Sequence, residues 1–145
     1  MNSVEKVIAV LTAVFVLTSV CVRSAKAETW ISTTVTSYHF DRSKDHNERN
    51  FGLGFEHQVT ENGRIVGGFY KNSEYHWSVD GGFLYLPYKV GPAKVGAMFG
   101  AVTGYEEMTV MPVIIPTVAF EGKKYGVNIG VVPSMIGLQL KMRFK

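Results

Sequence analysis

Residues 38 to 56, YHFDRSKDHNERNFGLGFE, hold the densest set of reactive groups in the chain. His39 and His46 stand there with Asp41, Asp45 and Glu48, among Arg42, Lys44, Asn47 and Arg49. Two imidazoles and three carboxylates are ligand types that a metal could use. Their spacing fits no closed zinc pattern, and no cysteine lies among them, so no metal is expected. A charged stretch between two apolar runs is equally what a solvated loop tip looks like. Which reading applies depends on the elements that hold this stretch.

Those elements are strands. After Ala27 no segment sustains a helical period, and the chain divides into eight alternating or β-branched runs. They are Trp30–Phe40, Asn50–Val59, Arg64–Lys71, Tyr75–Pro87, Ala93–Thr103, Val110–Glu121, Tyr125–Pro133 and Ile136–Phe144. Ile136, Leu138, Leu140, Met142 and Phe144 share one face of the last run, opposite Gly137, Gln139, Lys141 and Arg143. Runs two and seven alternate in the same way, with Gly52, Gly54, Gly126 and Gly130 on the face away from the apolar residues.

Such alternation fits a half-buried soluble sheet or a barrel with lipid outside. An even count of eight, run lengths that span a tilted bilayer, and aromatics near run ends favour the barrel. Those aromatics include Trp30, Tyr38, Tyr75, Trp77, Tyr85, Tyr88, Tyr105 and Phe144. The predicted fold is therefore all-β, an eight-stranded antiparallel up-and-down transmembrane β-barrel. Both termini would face the periplasm and Asp41–Arg49 would be the longest outer loop. Inward glycines would either leave a channel or relieve crowding in a narrow barrel.

The chain also begins like an exported protein. Lys6 precedes an apolar run from Val7 to Val22, and Ala25 and Ala27 supply the small residues of a cleavage site before Glu28. Residues 1–27 are read as a signal peptide and 28–145 as an outer-membrane barrel domain of a Gram-negative bacterium. Cleavage would remove Cys21, the one cysteine of the chain. It would leave twelve bases (15 less Lys6, Arg23 and Lys26) against eleven acids (12 less Glu5). A net charge so near zero argues against nucleic acid as a partner.

Four stretches in order carry a family likeness: FDRSKDHNERNFGLGFE, YKNS at Tyr70–Ser73, MPVIIPTVAF followed by GVVPS, and the closing MRF at Met142–Phe144. Together they resemble PagP, the outer-membrane lipid A palmitoyltransferase family, across nearly all of the chain after Ala27. The resemblance implies acyl transfer from phospholipid to lipid A at the outer rim, with no cofactor and a monomeric barrel. That family's strand-three Asp-Ser pair falls on Asn72 and Ser73, and its strand-one histidine falls on Val35. His39, four residues on and of the same strand parity, is the candidate replacement base. The candidate catalytic set is then Ser73, Asn72 and His39, with Asp41, Asn47, Glu48 and Arg49 shaping the loop.

Pro112 and Pro116 interrupt a run that otherwise reads as a strand, although proline cannot donate to a ladder. Under the resemblance, Pro116 and Pro133 form a lateral gate through which a lipid chain enters the barrel. The family's second opening carries Asn50 where it has proline. The expected function is therefore a barrel that binds envelope lipid, phospholipid and lipopolysaccharide, or acts on it by acyl transfer. The alternatives are a non-enzymatic surface barrel, phage-borne forms included, that binds or masks envelope lipids or receptors, and a soluble periplasmic lipid carrier.

Overall fold

Period-two patterning resolves into eight strands in the computed structural model, which describes residues 27–144. They are β1 (Thr29–His39), β2 (Gly52–Gln58), β3 (Gly63–Lys71), β4 (Trp77–Val90), β5 (Ala93–Thr103), β6 (Val110–Glu121), β7 (Tyr125–Val132) and β8 (Met135–Arg143). Each pairs antiparallel with its sequence neighbour, and β8 closes on β1. The expected signal peptide, Ala27 apart, lies outside the described residues.

Closure sorts each strand by parity. Phe55, Phe69, Val79, Phe83, Phe99, Ile114, Phe120 and Leu140 all face outward and are exposed. A continuous apolar band around a protein would drive aggregation in water, whereas in a bilayer it is the correct surface. No edge is left at the seam, as a lipid solvent requires of any sheet. Tyr38, Tyr75, Trp77, Tyr85, Tyr88 and Phe144 are exposed near strand ends, as interfacial aromatics should be.

Two of the expected girdle aromatics point elsewhere. Trp30 is 0% exposed, because its ring lies inside the barrel between two cations. Lys141 Nζ sits 4.9 Å from the ring centroid and the Arg143 guanidinium carbon 4.5 Å. Tyr105 also turns inward, its hydroxyl 3.4 Å from that of Tyr70.

Strand boundaries move where side chains compete with the ladder. β2 begins at Gly52 rather than Asn50, because the buried Asn50 spends its amide on loop and strand groups. β4 runs through Pro87 to Val90, absorbing the proline at a register shift between Tyr85 and Tyr88. Only Gly91 and Pro92 then separate β4 from β5, with Gly91 at φ 59. In β1 the register against β8 skips from Thr34 to Thr36. The skip at Val35 reverses parity, so His39 does not share the face expected from Val35. His39 instead follows Ser37 inward.

The end of the barrel that holds Thr29 and Arg143 is filled by charge. Arg64 forks onto Glu121, its Nη2 donating to Oε2 at 2.9 Å, and its Nη1 donates to Glu56 at 2.8 Å. Lys141 Nζ reaches Glu56 at 2.9 Å and Glu121 at 2.6 Å, while Lys94 reaches Glu121 at 2.8 Å. Asn128 donates to both Glu56 and Gln139. Both oxygens of each carboxylate are engaged, which is what makes buried charge tolerable.

Removing one carboxylate should therefore cost far more than a surface ion pair would. Glu121→Gln leaves Arg64 and Lys141 facing a single buried anion and is expected to destabilise the barrel by about 3–5 kcal/mol. Glu61→Gln, at an exposed turn, should stay within about 0.5 kcal/mol of the parent. Urea unfolding in lipid vesicles, followed by tryptophan fluorescence, checks both. Equal effects would mean that the buried network is not holding the barrel.

Candidate functional site

Above the charged layer the interior opens into a cavity of about 490 Å³. Its walls are apolar, from Val66, Leu84, Met98, Val113 and Ile115, and Glu56, Asn128 and Gln139 close the floor. Its mouth carries His39, Asp41, Lys44, His46, Ser73 and Tyr105. The volume falls in the range of ordinary ligand sites. Small residues make it: Gly54, Gly68, Gly130 and Gly137 line the same space.

The barrel wall beside this cavity is incomplete. β5 and β6 pair at eleven positions from Ala93↔Phe120 to Thr103↔Val110. β6 and β7 pair at only five, ending at Thr117↔Gly130. Upper β6, from Val110 to Pro116, has β5 on one side and no paired strand on the other. Pro112 and Pro116 are four residues apart, so their nitrogens face the same lateral direction along the strand. With β5 paired throughout, that direction is the open side. Two of the three donors that would face β7 between residues 112 and 116 are therefore missing, and no ladder can zip up there. Pro133 lies just beyond β7, in the two-residue turn to β8. Met111, Val113, Ile115, Val132 and Met135 line the cavity at this level, so the opening in the wall leads into it.

A second short ladder joins β1 and β2, with four pairs from Thr29↔His57 to Ser32↔Gly54. Here side chains and loop backbone stitch the wall instead. Thr33 Oγ1 donates to the Gly52 carbonyl at 2.7 Å, and Thr36 Oγ1 and Ser37 N donate to the Glu48 carbonyl at 2.7 and 3.1 Å. Ser37 Oγ donates to Asn50 Oδ1 at 2.6 Å. Asn50 Nδ2 in turn donates to the carbonyls of Asn47 and Lys71. The asparagine thus closes the second gap, whereas the prolines keep the first one open.

The loop from Phe40 to Phe51 is built rather than a free tip. Asn47 N donates to the Ser73 carbonyl at 2.9 Å and its Nδ2 to the Asn72 carbonyl at 3.0 Å. Glu48 accepts from His39 N at 3.2 Å and pairs with Arg42. The His39 backbone N–H, with Arg42 beside it, holds the Glu48 carboxyl below its usual range. Asp41 caps Ser43, whose hydroxyl and backbone N–H lower its carboxyl likewise. Arg49 is exposed, its N–H donating to Asn47 Oδ1. His39 and His46 stack with ring centroids 4.1 Å apart, and His39 Nδ1 is buried without a partner.

The three residues of the candidate catalytic set do not act as one unit. His39 and Ser73 both line the mouth of the cavity, and among the described residues no hydrogen bond joins them. Asn72 is 0% exposed and fully occupied. Its Oδ1 accepts from the N–H groups of Glu74 and His76, both at 2.9 Å. Its Nδ2 donates to Ser78 Oγ at 3.0 Å and to the Gly104 carbonyl at 2.7 Å. Gly104 sits at φ 83, and a Cβ there would lie 2.3 Å from the Trp77 carbonyl oxygen. Asn72 therefore pins the β3–β4 turn to the β5–β6 loop. The interior groups that sequence reading passed over are Tyr70, Asp80 and the charged layer. Their one signal was polarity on the small-residue face of a strand.

Asn72→Asp should for this reason fail to supply a base. It sets a carboxylate oxygen against the Gly104 carbonyl, and we expect a stability loss of about 1–3 kcal/mol by urea unfolding. Stability equal to the parent would show that the turn does not need the amide.

No protein-family model matches the chain, and no curated protein matches it. Among solved structures, the chain is similar to the de novo designed protein TMB2.3, at 17% identity and TM-score 0.59, over 85% of this chain and 99% of that one. It is also similar to the Yersinia pestis outer membrane protein Ail, solved in a phospholipid bilayer nanodisc, at 12% identity and TM-score 0.48. That match covers 82% of this chain and 100% of Ail. What the first likeness shows is the fold alone, the closed eight-stranded β-barrel.

Proposed function

We propose that this chain is an envelope-lipid-binding barrel of a Gram-negative outer membrane, taking an acyl chain sideways from the bilayer into its interior. The observation that carries this reading is the coincidence of the unpaired upper edge of β6 with the apolar upper wall of the cavity. A hydrocarbon chain leaving the lipid phase there passes an edge from which proline has removed two of the three donors. It then meets Val113, Ile115 and Met98 rather than water. The partners are phospholipid and lipopolysaccharide, met by a monomer after removal of the signal peptide before Glu28. The PagP-like stretches of the sequence support the same reading.

Restoring donors at the opening is expected to slow access without unfolding the barrel. In Pro112→Val/Pro116→Val, uptake of a phospholipid with a fluorescent acyl chain should fall several-fold. The heat-dependent shift in gel mobility typical of a folded barrel should remain. Uptake at the parent rate would remove the side opening as the route.

A second reading is acyl transfer, favoured by the placing of His39 and Ser73 at one mouth. In it an imidazole takes the proton of an acceptor hydroxyl, whose oxygen attacks the phospholipid ester carbonyl and expels a lysophospholipid. Mass spectrometry of lipid A from cells with and without the protein decides it. Transfer would show as one added acyl chain that disappears in His39→Ala/Ser73→Ala. A lipid A profile unchanged by expression leaves binding as the activity.

A further inference from the structure

One interior group is used by neither the fold nor the lipid route. Asp80 lies on β4, three residues in from its outer end, and its side chain lines the cavity. Among the described residues its carboxylate makes no ion pair and no hydrogen bond to another residue. The floor cations cannot serve it. Arg64 is opposite Leu84, four residues deeper, or roughly 13 Å along the strand at about 3.3 Å per residue. Both Arg64 and Lys141 are committed to Glu56 and Glu121.

Nor do neighbouring side chains cover the carboxylate. The register places Gly68 directly beside Asp80 on β3, and Gly54 beside Gly68 on β2. A Cβ at Gly68 would stand 3.2 Å from Asp80 Oδ1. Below Asp80 the wall turns apolar, with Leu84, Val66 and Met98. Above it stand the hydroxyls of Tyr70 and Tyr105. An uncovered carboxylate on the rim of an apolar well is costly to hold unless something pairs with it.

We infer that Asp80 selects the head of the bound molecule: the cavity favours a single aliphatic chain whose polar end carries an ammonium group. This rests on the lipid-binding reading and narrows it. The chain fills the space around Leu84 and Met98, and the ammonium donates to Asp80 at the level of the glycines. A neutral hydroxyl can donate there too, but without the charge that strengthens the bond.

The test uses methyl-labelled methionine in the full barrel held in a lipid nanodisc. Met98 and Met111 line the cavity, whereas Met142 faces outward and reports on partition into the bilayer. Decylamine and 1-decanol are titrated separately and the methyl NMR shifts followed. In the parent, decylamine should half-saturate the Met98 shift at a concentration about tenfold below that of decanol. In Asp80→Asn that advantage should vanish while the decanol curve stays in place. Gly68→Ala, which crowds the carboxylate, should reduce the advantage without abolishing it. Equal curves in the parent, or an advantage that survives Asp80→Asn, would overturn the inference and leave lipid binding standing. If neither probe moves Met98 or Met111 while Met142 responds, the interior takes no chain and both readings fall.

Discussion

In a lipid solvent every backbone donor and acceptor must find its partner inside the protein, and this barrel is organised by where that pairing stops. Six of its eight seams are laddered along most of their length. The β1–β2 and β6–β7 seams are cut short, at four and five pairs. The two interruptions are resolved in opposite ways. Asn50, Thr33, Thr36 and the folded loop supply substitute bonds at the first. At the second, Pro112 and Pro116 remove two of the three donors that would face β7. One seam is therefore sealed, and the other stays unpaired at a reduced hydrogen-bonding cost.

The interior follows a similar division. At the end that holds the termini, two carboxylates bind three cations and an asparagine, and Trp30 lies against Lys141 and Arg143. Toward the other end, glycines and aliphatic residues leave a cavity whose side wall is the open seam. A blind well with a lateral mouth suits a molecule that lives in the membrane, since it never has to cross water to arrive. The charged layer supports that use by closing the far end.

Much of this was legible in the sequence because the two sides of each strand face different solvents. β5 and β6 fall on the bounds expected from alternation, and the inward glycines of β2, β7 and β8 lie where parity puts them. What the pattern does not encode is any event that changes parity or depends on closure. Val35 is an ordinary strand residue, and nothing in its type announces the register skip that turns His39 inward. Glu56 and Lys141 are 85 positions apart and meet only once the barrel closes. Trp30 looks like an interfacial aromatic until its two cations are brought over its ring. The role of Asn72 was hidden for the same reason: Ser78 and Gly104 reach it only through the turn geometry of three strands. The prolines were visible at once, yet their meaning required knowing which neighbour each one lacks.

Photolabelling from within the bilayer tests the central claim most directly. A phospholipid bearing a diazirine near the end of one acyl chain would be irradiated in vesicles containing the folded barrel, and the labelled residues identified by fragment mass spectrometry. Neighbouring positions discriminate, since Met98 and Ile115 face the cavity while Phe99 and Ile114 face lipid. Chain uptake through the β6–β7 seam predicts label on Met98 and Ile115 in addition to the outer residues. Label confined to Phe99, Ile114 and the rest of the outer band would contradict it.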